Sequence, residues 1–435
     1  MQHAATPYGD LWYNSDPEDD CAEVLMKKRA LIVGFVWPEP NSSAAGQNMM
    51  GIINALKQQQ WEVNFVSAAA DSLHKADITS LGVCLDTISL NDSSFDDYVK
   101  KVDPTLVIFD RFMTEEQFSW RVKHVCPRAM RVINTEDLHS LRHTRHQAIK
   151  SNTPVPHTSD ITSDITQREI AAILRSDLTL IISEHEYSIL TTHFGIPEQQ
   201  LMYLPLLDTE FNCETPSFSQ RHGFAWVGNF RHAPNWDATL QLKQHIWPKI
   251  KASIPDATLS VMGAYPPKKA TQLEDVKTGF LVKGWVENIA EVLPLHRVML
   301  APIRFGAGIK GKLLAAMHAQ MPSVTSSIGA EGIAPKAKWP GAVSDNWQEF
   351  AEQAIELYLN ESLWVSQQAK IESVLSPKFA SAENKRRFLT QIAQLLEELD
   401  EHRATLPLQF VLWHKTLRST QYMSQWIEEK NKSKT

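Results

Sequence analysis

Between Ala301 and Ile333 the chain reads APIRFGAGIKGKLLAAMHAQMPSVTSSIGAEGI, and within that run Gly306, Gly308 and Gly311 alternate with Lys310 and Lys312. Glycines let a backbone turn with its amide hydrogens exposed, as a loop at a helix N-terminus must do to bind an anion. Two ammonium groups beside those amides add full positive charge. This chemistry suits a diphosphate, the group that a sugar nucleotide carries. A strand-to-helix loop with two solvated lysines is the plainer reading of the same spacing.

A second concentration of reactive groups lies at NTEDLHSLRHTRH, Asn134–His146, where Glu136, Asp137 and His139 are followed by Arg142, His143, Arg145 and His146. Titratable groups gathered just beyond a strand end are what an acid–base or acceptor site needs, although the charged first turns of a helix give the same string. A metal centre is a poorer reading, because no cysteine or second carboxylate pair completes a ligand set at familiar spacing. In VGNFRHAPN, Gly228 permits close approach of the backbone to a ligand and Arg231 offers a planar fork to phosphate oxygens; a surface turn is the alternative. Glu331 sits in the glycine-rich turn SIGAEGI, where a carboxylate either accepts hydrogen bonds from two hydroxyls of a ribose or sugar or is simply solvated. In PEPNSSAAG, Pro38–Gly46, the side chains of Asn41, Ser42 and Ser43 are natural helix caps.

The elements that must hold these residues alternate strand and helix. RALIVGFVW, a helical pattern from about Gly46 to Gln59, and WEVNFVSA open a βαβ unit. Short β-branched runs at Thr105–Asp110, Met130–Asp137 and Leu178–Glu184 each end in a polar residue, as buried parallel strands do. The polar ends matter because ligands of open α/β sheets bind beyond the carboxyl ends of the strands. A fresh series begins at Phe224–Gly228, with a helix near Trp236–Ser253 and strands at Ala257–Gly263, Phe280–Val286, Val298–Ile303 and Ser323–Ile328. The final stretch is helical, with amphipathic patterns at Trp347–Asn360, Glu383–Leu399 and Leu408–Glu429. Ser151–Thr166 reads as a mobile surface loop.

Composition narrows the class. At 435 residues the chain exceeds one ordinary core, and about 150 residues per domain leaves two domains as the better expectation. A net charge of −7 argues against a general nucleic-acid binder and for site-specific phosphate binding. No apolar run reaches the ~20 residues that span a bilayer. Cys21, Cys84, Cys126 and Cys213 lack CxxC spacing, which speaks against zinc and a disulfide framework and for a reducing cytoplasm. The N-terminal stretch is acidic and polar where a secretory signal would be basic and then apolar, so no export signal is expected. No Gly-x-Gly-x-x-Gly follows the opening strands, which disfavours a nicotinamide-dependent dehydrogenase.

Four ordered motifs, FAWVGNFRHAPNWDA, VKGWVENIAEVL, RVMLAPIRFGAGIKGKLLAAMHAQMP and SSIGAEGI, resemble the glycosyltransferase family 4 group of GT-B enzymes. The resemblance covers roughly Lys28 to Leu399 and is looser in the first half. It implies an α/β chain of two Rossmann-like doubly wound domains facing an interdomain cleft, with a helical C-terminal tail. The expected boundaries are an N-terminal extension over 1–28, an acceptor domain over 29–207, a linker over 208–220, a nucleotide-sugar donor domain over 221–400, and a C-terminal helix over 401–435 packing back on the first domain. Docking of that helix on a partner or a membrane surface is the other reading of Leu408, Phe410, Val411, Leu412, Trp413 and Leu417.

By the same resemblance, the expected activity is a retaining transfer of sugar from a nucleotide-diphosphate sugar, with neither metal nor cofactor. Arg231 with Lys310 and Lys312 would stabilise the leaving diphosphate, and His139 would stand near the reacting centre. Gly228, Asn229, Gly306, Gly308, Ile309 and Glu331 would bind the donor, and Gly284, Trp285 and Val286 would lie where relatives hold the base, although Trp285 is equally a packing residue. Gly46, Glu136 and Asp137 would face the phosphates or the acceptor, which is a lipid-linked sugar, a polysaccharide, a protein or a small molecule. The chain departs from the family at one point: relatives carry a Glu-x7-Glu pair whose members fall here at Ala307 and Ala315. An alanine cannot hydrogen-bond a ribose, so a non-catalytic partner in a glycan-assembly complex is the second expectation.

Overall fold

The structure is a computed structural model and describes residues 28–207, 215–415 and 418–433. The extension expected over 1–28 therefore lies outside the described residues except for its last member. So do most of the linker, Cys21, Cys213 and Leu417.

Seven parallel strands make the first sheet: β1 (Arg29–Gly34), β2 (Glu62–Ser67), β3 (Cys84–Thr87), β4 (Leu106–Asp110), β5 (Met130–Asn134), β6 (Leu178–Ile181) and β7 (Leu201–Tyr203), in the order β3-β2-β1-β4-β5-β6-β7. Six make the second: β8 (Phe224–Val227), β9 (Leu259–Met262), β10 (Phe280–Gly284), β11 (Val298–Ala301), β12 (Ser323–Thr325) and β13 (Gly341–Val343), in the order β10-β9-β8-β11-β12-β13. Helices on both faces bury the strands, so runs such as Ala30–Val33 and Val298–Ala301 are wholly enclosed. Each sheet reverses its winding beside its first strand, between β1 and β4 and between β8 and β11. At such a point two loops leave in opposite directions and open a crevice. Two doubly wound sheets with a helical C-terminal region are the expected two-domain GT-B architecture.

The short strands β3, β7 and β13 are not anticipated by the sequence pattern. β3 is half exposed, and β7 and β13 are three residues each, too short for a periodic signal. The helix expected near Trp236–Ser253 is three segments, Ala233–Gln241, a wide π turn Leu242–Ile246, and Trp247–Ser253, with Pro248 at the start of the last. The run expected as a strand through Ile328 stops at Thr325, where Ser326 caps the helical turn Ser327–Ala330.

The crossing back to the first domain also begins earlier than residue 400. Phe388, Ile392 and Leu395 of the helix Ser381–Glu397 pack with Ile52, Ile53 and Leu56 in the first core. An amphipathic pattern shows that one face is buried, not which sheet buries it. The helix Pro407–Lys415 lies on Asp164–Arg175, and Arg418–Lys432 lies on Phe112–Val125. Trp413 donates its indole N–H to the Arg175 carbonyl at 3.0 Å, while Leu408, Phe410 and Val411 on the same helix are exposed. Among the described residues, no helix is long and apolar enough to cross a membrane.

Candidate functional site

The carboxyl-end loops of the two sheets face each other across a cleft of about 680 Å³. The first domain contributes Gly46, Asp110, Arg111, Glu136, Asp137, His139, Arg142, His143 and His146 to its walls. The second contributes Gly228, Asn229, Arg231, Asn235, Tyr265, Trp285, Val286, Gly306, Ile309, Lys310 and Lys312, together with Ala307 and Ala315. The structure thus gathers most of the sequence-predicted residues in one cavity. Gly284, Gly308 and Glu331 are not among its lining residues.

On the donor-side wall, the turn after β8 places Arg231 flat against Tyr265, with the guanidinium carbon 3.5 Å from the ring centroid. Tyr265 in turn donates to Glu39 of the first domain at 2.7 Å. Asn235 fixes the turn from within: its amide donates to the Asn229 carbonyl at 2.8 Å, and its oxygen accepts from the Lys312 amine at 2.7 Å. That amine also lies over the Trp226 ring, and burial, with Lys310 as a like-charged neighbour, pulls its pKa down to about 7. Lys310 is buried and donates to the Gly308 carbonyl at 2.8 Å. Burial likewise lowers its pKa, against the attraction of Glu331. Cations brought together and stripped of water bind an anion strongly, because its arrival restores the solvation they have lost.

The first-domain wall is a mixed-charge cluster. Its helix His139–Lys150 begins on two buried carboxylates: Glu169 accepts from the His139 and Ser140 amides at 2.9 and 3.0 Å, and Glu186 accepts from the Leu138 amide at 3.0 Å. His139 is thereby held 3.4 Å from Asp137, and burial drives its pKa down to about 3, so the imidazole is neutral at physiological pH. Burial opposes the charge of Asp137, but the neighbouring guanidinium groups of Arg142 and Arg111 outweigh it and hold the carboxyl below its usual range. Glu136 is the reverse case: burial first, then the nearby Asp110, push it up to about 8.

Glu136 and Arg111 both have positive φ, 60° and 71°, a conformation that costs a non-glycine residue of order 1–3 kcal/mol and that clusters at functional sites. Asp110 and Arg111 were not singled out in the sequence; the polar end of the strand TLVIFD was their signal. Asn235, His74 and Tyr265 left none beyond their places in quoted or neighbouring loops.

Several residues expected to bind the donor make contacts within the protein. Both oxygens of Glu331 accept from the Arg145 guanidinium of the first domain at 2.8 Å, and His185 lies 3.2 Å away. Its carboxyl, which burial alone would raise, is held down by Arg145 and Lys310. Glu331 lines a second cavity beyond the loop, with His185 and Lys378. The Gly308 amide donates to Glu186 at 2.7 Å. Gly284 accepts from the Gly263 amide within the sheet at 2.7 Å. Trp285 stacks on His74 of the first domain, with centroids 4.3 Å apart.

The glycines themselves owe part of their identity to the domain contact. A Cβ on Gly308 would come 2.8 Å from the Asp137 Cβ, and one on Gly311 would come 2.4 Å from the Ala44 Cβ. Gly46 is likewise needed by its own loop, since a Cβ there would meet the Glu39 carbonyl at 2.4 Å. Among the described residues, no group of three or more His, Cys, Asp and Glu side chains is arranged to hold a metal ion.

The fold and the loops at its cleft define a GT-B protein. Residues 221–360 match the family described as Glycosyl transferases group 1. Among solved structures, HepE from Anabaena in complex with UDP and glucose is similar with a TM-score of 0.63 at 11% identity, covering 85% of this chain and 100% of its own. Sucrose-phosphate synthase from Thermosynechococcus elongatus gives 0.61 at 12% identity, covering 85% and 99%. WaaG, a glycosyltransferase involved in lipopolysaccharide biosynthesis, gives 0.56 at 11%, covering 82% and 98%. At these identities the likeness is one of fold. No curated protein matches the chain in sequence.

Proposed function

We propose that the protein is a retaining glycosyltransferase of the family 4 type, working in the cytoplasm without a metal ion on a nucleotide-diphosphate sugar. The observation that carries this reading is the convergence of Arg231, Lys310 and Lys312 on one interdomain cleft, within or beside loops of the segment that matches the group 1 glycosyltransferases. The donor diphosphate lies against these three cations. As the bond from the anomeric carbon to the β-phosphate oxygen breaks, negative charge grows on the departing diphosphate, where charge fixed in place in advance is most effective. The acceptor oxygen forms its bond on the same face of the sugar, and its proton leaves with the diphosphate. His139, neutral and lining the first-domain wall, hydrogen-bonds a hydroxyl near the reacting carbon. HepE has been solved with UDP-glucose, and this supports a sugar nucleotide as ligand.

Isothermal titration with UDP, GDP and ADP tests the reading. One of them binds, and Lys310→Ala combined with Lys312→Ala removes that binding; a double variant that still binds normally sinks it. The second reading, a GT-B protein that binds but does not transfer, is favoured by Ala307 and Ala315, which line the cleft where relatives carry two glutamates. Slow hydrolysis of the matching sugar nucleotide in the absence of acceptor separates the two, since only an enzyme releases the sugar.

A further inference from the structure

The glycine–lysine loop is shaped largely by the other domain. Three glycines give it wide conformational freedom, yet it is pinned at consecutive residues by first-domain groups. Arg145 donates to the Gly306 carbonyl at 2.8 Å, Ala307 packs against the first-domain cluster that includes Leu138 and Leu141, and Glu186 accepts from the Gly308 amide at 2.7 Å. Arg145 is fully buried and also forks onto Glu331, binding the far end of the same motif. Glu186 is fully buried too and takes the Leu138 amide with the same oxygen. Neither side chain lines the cleft.

We propose that Arg145 and Glu186 are positioning residues: from the first domain they hold the second domain's loop in its diphosphate-binding shape, so that the donor site exists only where the two domains meet. The inference rests on the glycosyltransferase reading above and adds to it which part of the donor feels the domain contact. The pins fall on the loop that faces the phosphates. The turn Gly284–Val286, expected at the base, presents Trp285 and Val286 to the cleft, which neither Arg145 nor Glu186 lines. Loss of a pin therefore weakens the hold on the distal phosphate and leaves the nucleoside end alone.

The test compares affinities for a nucleoside diphosphate and its monophosphate, using whichever of UDP, GDP or ADP the wild type binds. In Glu186→Ala, diphosphate affinity falls by about tenfold, the loss of one buried hydrogen bond, while monophosphate affinity stays at the wild-type value. Glu186→Gln restores diphosphate affinity, because its amide oxygen still accepts from both N–H groups. Arg145→Gln reproduces the selective loss. Retained monophosphate binding also reports that each variant is folded. Parallel loss of both ligands, no loss of either, or failure of Gln to restore affinity overturns the inference. A wild type that binds none of the three diphosphates defeats the glycosyltransferase reading itself, and this inference with it.

Discussion

Under the proposed function, Lys312 makes diphosphate affinity depend on pH in a calculable way. In the free protein, burial and the like charge of Lys310 bring its amine down to about 7 from the model-peptide value of 10.5. Below pH 7 the amine is charged and ready for an anion; above it, the site must take up a proton before the full attraction is felt. Each pH unit above the free-state value then costs about 1.36 kcal/mol, a factor of ten in affinity, until the pKa of the bound state is reached. From pH 7, where half of the amine is already uncharged, to pH 9 the expected loss is about 2.3 kcal/mol, roughly fiftyfold.

The assay is isothermal titration of the nucleoside diphosphate from pH 6 to pH 9, for the wild type and for Lys312→Arg. The guanidinium stays charged throughout, and both proteins share Lys310, Glu136, Glu186 and the ligand's own phosphate titration. Their difference therefore isolates Lys312. The wild-type affinity falls away from that of the variant above neutral pH, and proton uptake appears in buffers of different ionisation enthalpy. Parallel curves would refute the reasoning, for they would mean that the amine is not close enough to the phosphates for its charge to matter.

Two further outcomes test how the domains are held. Gly308→Ala forces a side chain into a backbone with φ of 63° and a Cβ to within 3.0 Å of the Glu136 carbonyl, a strain of about 1–3 kcal/mol that lowers the melting temperature. Arg403→Ala removes hydrogen bonds of 2.9 and 2.8 Å to the fully buried Asp177, which keeps Arg131 and Gln409 as partners, and costs about 1.5–3 kcal/mol in urea unfolding at pH 7. Burial alone would raise the Asp177 carboxyl, but Arg131 and Arg403 hold it below its ordinary value. Its stabilising effect is therefore present above the unfolded carboxylate range and lost as pH falls through the lower folded value. The difference between variant and wild type accordingly narrows in strong acid.

What the sequence discloses and what it hides divide along a physical line. Strand β1, the helix after it and the loop at Gly306–Lys312 were legible because each is defined by residues next to one another: an apolar run, a capping serine, a glycine spacing. Arg231 was legible for the same reason, within VGNFRHAPN. Glu331 was not, because its partner Arg145 stands 186 positions away. The turn SIGAEGI gives no sign whether its carboxylate meets a sugar hydroxyl or a guanidinium. Gly308 was legible as a glycine but only in part as to its cause. Sequence alone suggests a close approach of phosphate to backbone, whereas the approach in the structure is by Asp137 and Glu186.

The Arg145–Glu331 pair bears on the chemistry available in the cleft. A sugar donor carries several hydroxyls, and a buried carboxylate or amide must meet them if they are not to be desolvated without compensation. The second domain supplies none at Ala307 or Ala315, and the carboxylate of Glu331 is already engaged by Arg145. The carboxylates that do line the cleft, Glu39, Asp110, Glu136 and Asp137, all stand on the first domain. Under the proposed function the sugar hydroxyls therefore meet the first-domain carboxylates, beside Arg111 and Arg142 of the same wall, while Arg231, Lys310 and Lys312 face the diphosphate. On that reading the phosphates and the sugar are bound by opposite walls, and the second domain alone does not discriminate the sugar.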